Sequence, residues 1–285
     1  MRIGRGAWVA SAVLLRVAAQ DHAGQPVPKY VTGDECLFCH RVKVADKWQQ
    51  NPHALTVHPR AGDETYEENL PADAEYILGS HPPYRGIKEN GYGKFDLLSH
   101  DGKSWDREAF ALRCAGCHTT AVDPKTHTFS ASSLDCYTCH GVVPQNHPND
   151  ISLVWFSTKH TRDPRQIVSI CGQCHLRGGK SKSSGLPYPN NFVAGDDLFH
   201  DFQVDLAKAD DRSLNWGDRH IYRNARDVVV NGAKDTCLSC HNVHSDNTRK
   251  HRLVLTSEVC LDCHYAEGPK KKTKDNNRRS EVCEY

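Results

Sequence analysis

Twelve of the thirteen cysteines in this 285-residue chain fall into six copies of one five-residue figure, Cys-x-x-Cys-His. The copies run Cys36–His40, Cys114–His118, Cys136–His140, Cys171–His175, Cys237–His241 and Cys260–His264, and Cys283 alone stands outside them. With 18 histidines present, a His follows a given second cysteine by chance about once in sixteen, so six coincidences are on the order of ten to the minus seven. A structural zinc knuckle needs four ligands and makes no demand for His directly after the second Cys. A disulfide framework explains neither the spacing nor the histidine, and a thioredoxin-like redox pair has no reason to recur six times without a βαβ pattern. Covalent attachment of c-type haem accounts for both.

On a helical turn, residues three and four apart share a face. The two cysteines of each figure can therefore bond the vinyl positions of one porphyrin while the histidine ligates its iron. The attachment cysteines are Cys36 and Cys39, Cys114 and Cys117, Cys136 and Cys139, Cys171 and Cys174, Cys237 and Cys240, and Cys260 and Cys263; the proximal ligands are His40, His118, His140, His175, His241 and His264. Six haems c are expected.

That expectation also makes sense of a lean composition. Only 38% of residues are hydrophobic and the mean hydropathy is −0.65, too little for a conventional core unless apolar macrocycles supply the rest. The fold expected is mainly loop with short α-helices wrapped around haems, with little or no β-sheet, and 14 Pro and 20 Gly agree with it. One short helix is expected around Val44–Gln50, and the stretch GGKSKSSGLPYPNN at 178–191 reads as a loop. Successive motifs start 78, 22, 35, 66 and 23 residues apart. That order of single, close pair, single, close pair suggests two three-haem modules, 20–158 and 159–268, followed by a basic tail, 269–285.

The first nineteen residues read as a secretory signal, with Arg2 and Arg5 before an apolar run and small residues ahead of Gln20. No later stretch approaches the roughly 18 apolar residues of a membrane helix. The mature chain is thus expected to be exported, periplasmic or extracellular, with no integral membrane segment after cleavage. A net charge of +1 gives no global field to attract nucleic acid, and no such partner is expected. The tail is either a solvated segment or a docking patch for an acidic redox partner. Cys283, an odd cysteine in an exported chain, is either a free thiol or half of an intermolecular bridge.

The second axial ligand decides between carrier and enzyme. Methionine is ruled out, because the only Met is Met1. Twelve histidines remain after the proximal six. His53, His147, His160 and His244 lead, because each lies near an attachment helix or a short helix from which the chain can reach a ring. His81, His200 and His220 compete for the two remaining places, with His81 and His220 adopted. His58, His100, His127 and His251 follow, and His22 lies beside the cleavage site. Six bis-histidine haems would leave no iron open to substrate and describe an electron carrier with no chemistry of its own. The competing possibilities are a reductase or oxidase of nitrogen or sulfur compounds with one open haem, and a subunit of a larger membrane respiratory complex.

The stretches ECLFCHRVKVADKWQQNPHA, CAGCHTTAVDPKTHTFSASSLDCYTCHGVVPQNH and CGQCHLRG resemble the family of the tetrahaem electron carrier of ammonia oxidation. CLSCHNVHSDNTRKHRLVLTSEVCLDCH resembles the doubled CxxCH module, and together these segments cover about half of the chain. The resemblance implies mainly bis-histidine haems in alternating stacked and perpendicular pairs, with His53 and His147 as distal ligands. Six motifs in place of four prevent the rest of the pairing from being carried over. Exported six-haem cytochromes of this general kind include subunits of extracellular filaments, so the implied partners are redox proteins or further copies of the chain joined head to tail.

Overall fold

Every attachment motif in the described part of the chain forms a helical turn. In the computed structural model these parts are residues 30–60, 70–150 and 163–245, apart from short gaps at 31, 42–43, 45, 80–84, 92, 124 and 191. The signal segment, the sixth motif, the basic tail, Cys283, His22, His81, His160 and His251 lie outside the described residues.

The first motif closes α1 (Gly33–His40), and a short α2 (Asp46–Trp48) follows inside the stretch expected to be helical. The second motif follows α3 (Ala109–Arg113) and turns through α4 (Ala115–His118), and the third is α5 (Cys136–His140). The fourth is the last turn of α6 (Pro164–His175). A short α7 (Leu198–Asp201) leads to the long α8 (Trp216–Val229), and the fifth motif is α9 (Cys237–Cys240). Local sequence starts these helices where they start. Asp163 caps α6 by accepting from the Arg165 N–H at 3.0 Å, with Pro164 in the first turn where no N–H is needed. Asn215 caps α8 by accepting from the Asp218 N–H at 2.9 Å. Gly141, at φ 64°, ends α5 in the left-handed region that a side chain would disfavour.

The expectation of little or no sheet does not hold. Five antiparallel strands, β1 (Val57–Pro59), β2 (Tyr76–Leu78), β3 (Arg85–Glu89), β4 (Phe95–Leu98) and β5 (Trp105–Asp106), form a meander in sequence order. Two further two-stranded pairs are β6 (Thr119–Thr120) with β7 (Ala131–Ser132), and β8 (Lys180–Ser181) with β9 (Phe202–Gln203). The physical reason is that the first long interval does not need a haem to bury its apolar residues. Ile87 pairs with Leu97 across β3 and β4, and Phe95 packs edge-on against Phe110 of α3 at 5.1 Å. With Val57, Ala109 and Ala115 these residues make a haem-independent core that ends on the second motif. A second core gathers Val168 and Leu176 of the α6 region with Leu198, Phe202, Tyr222, Ala225 and Val228. The first core reaches the α4 motif through Ala115, and the second reaches the α6 motif through Val168 and Leu176.

Candidate haem sites

The third motif shows how the backbone presents these residues. Asp135 caps α5 with Oδ1, which accepts from the Tyr137 N–H at 2.9 Å, while Oδ2 accepts from the Gly33 N–H at 3.3 Å and from the Tyr30 hydroxyl. One carboxylate thus starts the third attachment helix and pins the start of the first. Losing a cap costs about 1 kcal/mol and each further hydrogen bond about 1 kcal/mol, so Asp135→Ala is expected to lower stability by about 2–3 kcal/mol in a denaturant titration. Burial pushes the Asp135 carboxyl above the usual carboxylate range. The folded chain therefore keeps this proton to higher pH than the unfolded chain, and stability falls as pH rises from the ordinary carboxylate value through the raised one. Asp135→Asn is expected to flatten that slope.

The motifs meet one another through their sulfurs. Cys36 lies beside Cys136, Cys117 beside Cys174, and Cys171 beside Cys237, each pair close enough for the two thiols to act on one another. As a thiol, Cys36 is drawn down to about 7 by the neighbouring Cys136, whose own thiol is driven up. Between the second and fourth motifs the contact is reciprocal. Cys117 Sγ lies 3.8 Å from the Gln173 carbonyl and Cys174 Sγ lies 3.9 Å from the Gly116 carbonyl, a local two-fold arrangement. Gln173 Nε2 also donates to the Thr138 carbonyl at 3.3 Å, which ties the fourth motif to the third. Gly116, Tyr137, Thr138 and Gln173 line one cleft with Tyr188 and Asn190. The fourth motif therefore touches the second, the third and the fifth.

The histidines complete the pattern. His40 faces His147 with ring centres 6.2 Å apart, His140 faces His244 at 6.0 Å, and His175 faces His53 at 6.2 Å. Two imidazoles bonded to opposite sides of one metal ion, each at about 2.0 Å, place their ring centres about 6.3 Å apart. Two imidazoles stacked in direct contact would lie much closer, as Trp216 and His220 do at 5.1 Å. The spacing of each pair thus fits an iron held between the rings, with the proximal histidine on a motif helix and the distal one on another segment. The ring orientation agrees. His147 donates from Nδ1 to the Pro144 carbonyl at 2.9 Å, His118 to the Thr56 carbonyl at 3.1 Å, and His53 faces Asn51 Oδ1 at 3.3 Å. An Nδ1–H held this way fixes the tautomer and leaves Nε2 for the metal. Burial lowers the pKa of both His118 and His244, which favours the neutral imidazole that ligation requires. The residues present fit haem c.

Comparison with known proteins points the same way. A family model described as the doubled CXXCH motif matches residues 229–283, which hold the fifth and sixth motifs. Over 143 residues the chain is 24% identical to the multiheme cytochrome MtrA of Shewanella baltica (strain OS185), covering 48% of this chain and 37% of that protein. It therefore spans little more than a third of the length of that curated relative. The crystal structure of the outer cell wall cytochrome OcwA has the same fold, with a TM-score of 0.54 at 20% identity over 84% of this chain and 68% of that one. The undecaheme cytochrome from the S-layer of Carboxydothermus ferrireducens aligns with a TM-score of 0.46 at 15% identity, over 85% and 44% of the two chains.

The chain is a multihaem c-type cytochrome.

In this cytochrome the remaining histidines are placed as follows. His220 lies on α8, stacked on Trp216 and one turn before Asn224, whose Oδ1 is 3.6 Å from Cys237 Sγ. Residues four apart share a helix face, so His220 is on the side of α8 that meets the fifth motif. His58 sits on β1 with Nε2 3.2 Å from the Gly79 carbonyl, and His100 has Nε2 3.2 Å from an Arg85 guanidinium nitrogen. His127 stands at φ 57° and lines the cleft between the motifs, and His200 is exposed on α7. Two residues that carry no motif signal also belong to these sites. Thr56 orients His118, and Asn51 contacts both His53 and the segment bearing His244.

Proposed function

We propose that this cytochrome is an exported electron conduit, passing electrons one at a time through six covalently bound haems whose irons each lie between two histidines. The observation that carries the proposal is the set of histidine pairs at 6.0–6.2 Å, each joining a motif to a distant segment. Haem supplies the redox change when bound. The chain's own residues attach it through the paired cysteines, ligate it from both faces and exclude water, which sets distance, ligand and dielectric. His40 with His147, His140 with His244 and His175 with His53 serve the first, third and fourth haems. His220 is assigned to the region of the fifth motif, and His81 and His160 complete the set of six.

The motif contacts support a route that runs first to third, third to fourth, and from the fourth to both the second and the fifth. Export is supported by the amino-terminal signal pattern and by the outer cell wall origin of the structural neighbour OcwA. Among the described residues no helix is long and apolar enough to cross a membrane. Redox proteins are the expected partners, and head-to-tail assembly of copies is the extended form of the same proposal.

The test combines the intact mass of the exported protein with spectroscopy of its ferric state. A mass increment of six haems and an entirely low-spin spectrum are expected. A ferric high-spin component that binds small nitrogen or sulfur ligands would overturn the carrier and make the protein a reductase or oxidase with an open haem. Electron cryo-microscopy of the same material separates a filament from a discrete carrier.

A further inference from the structure

The three histidine pairs differ in one respect, and the difference traces to one buried amide. The rings of His40 and His147 are 19° from parallel and those of His140 and His244 are 20° from parallel, but His53 and His175 cross at 79°. An imidazole donates π electrons to iron only along the normal to its ring. Parallel rings therefore act on one of the two iron dπ orbitals and split the pair, whereas crossed rings act on both and leave them nearly degenerate. Ferric low-spin iron reports this directly in electron paramagnetic resonance. Parallel rings give a rhombic three-line spectrum, and crossed rings give a strongly anisotropic line at large g. The larger splitting also stabilises the ferric state, so the crossed haem has the more positive potential, other things being equal.

What holds His53 crosswise is Asn51, which is 0% exposed. Its Oδ1 accepts from the His53 backbone N–H at 2.9 Å and lies 3.3 Å from Nδ1 of the same residue. Anchoring one residue at both its backbone and its ring removes the freedom of that ring to rotate. The Nδ2 group donates to the carbonyls of Val243 at 2.7 Å and Ser245 at 3.0 Å, the residues on either side of His244. The amide's whole bonding capacity is used on two ligand-bearing segments. An Asn that only shaped the turn before His53 would need the first contact alone. The bonds to a segment 192 residues away fasten the distal ligand of the fourth haem to that of the third.

We propose that Asn51 is a positioning residue that holds His53 crosswise to His175, and so sets the fourth haem apart from its neighbours in spectrum and potential. The inference rests on the bis-histidine function proposed above.

The experiment is electron paramagnetic resonance of the ferric holoprotein, with haem content checked by mass, for wild type, His53→Ala, Asn51→Ala, Asn51→Ser and Asn51→Asp. His53→Ala identifies the line of the fourth haem by converting it to high spin. That line is expected at large g in the wild type. Asn51→Ala is expected to shift it to the rhombic region and to lower the midpoint potential of that haem at unchanged haem content, and Asn51→Ser, too short to reach the His53 ring, does the same where alanine yields too little loaded protein. Asn51→Asp keeps an oxygen acceptor for His53 and retains the large-g line. A rhombic His53 line in the wild type, or a large-g line unmoved in both Asn51→Ala and Asn51→Ser, overturns the proposal. If His53→Ala removes no low-spin component, the bis-histidine function itself fails for this haem, a result distinct from either of those.

Discussion

Replacing His53 by methionine is expected to give the fourth haem the most positive potential in the protein and to make it the place where the first electron rests. A thioether opposite histidine raises the potential of a haem relative to a second imidazole. The only Met in the sequence is Met1, so the new ligand has a spectral signature that stands out against histidine-ligated haems. The effect is large because of where this haem lies. Its motif touches the second through Cys117 and Cys174, the third through Gln173 and Thr138, and the fifth through Cys171 and Cys237. Spectroelectrochemical titration is expected to show one haem reduced well ahead of the rest, and stopped-flow reduction to show slowed filling of the others. A titration matching the wild type would mean that His53 is not the distal ligand of His175.

Gly116→Ala is expected to be the most damaging single methyl group that can be added to the second motif. A Cβ there would lie 2.2 Å from Tyr188 Cδ2 and 2.3 Å from Cγ. The ring cannot swing aside, because Tyr188 is 2% exposed and its hydroxyl donates to the Ala111 carbonyl at 2.5 Å. Overpacking of this kind costs about 1–3 kcal/mol where the surroundings yield. Here the clash is with a pinned ring, and a loss of about 3 kcal/mol is expected from denaturant midpoints, together with a disturbed spectrum of the second haem. A change below about 0.5 kcal/mol would show that Tyr188 does not pack as described.

The chemistry of this protein was legible because it is local. A five-residue figure fits in one helical turn, so the attachment residues need no knowledge of the fold. Three histidines that the structure brings opposite motif histidines were legible for a related reason: His53, His147 and His244 each lie a few residues beyond a helix that begins the return of the chain. Their pairing was not, since His53 lies opposite His175 of the fourth motif and His244 opposite His140 of the third. The sheet was missed although its turns were written out. Asn90-Gly91 and Asp101-Gly102 are hairpin signals flanked by strand-forming runs. A lean composition shared with haem-wrapping loops hides them, because the strands are short and their apolar residues few. Asn51 could not have been found, because its meaning lies in Val243 and Ser245, 192 and 194 residues further on.

The sulfur contacts between motifs bear on how such a protein is made. Under the function proposed above, these six cysteines are thioethers in the finished molecule and chemically inert. A chain that folded before its haems arrived would instead bring Cys36 to Cys136, Cys117 to Cys174 and Cys171 to Cys237 as pairs of thiols, which the proposed export would expose to oxidation. Oxidation of each pair would lock the wrong covalent map into an otherwise correct shape. We therefore expect peptide mapping of chain exported without haem to recover these cross-motif bridges. On that reading haem loading precedes compaction, and the native fold is a late and irreversible certificate that these six cysteines have already been committed.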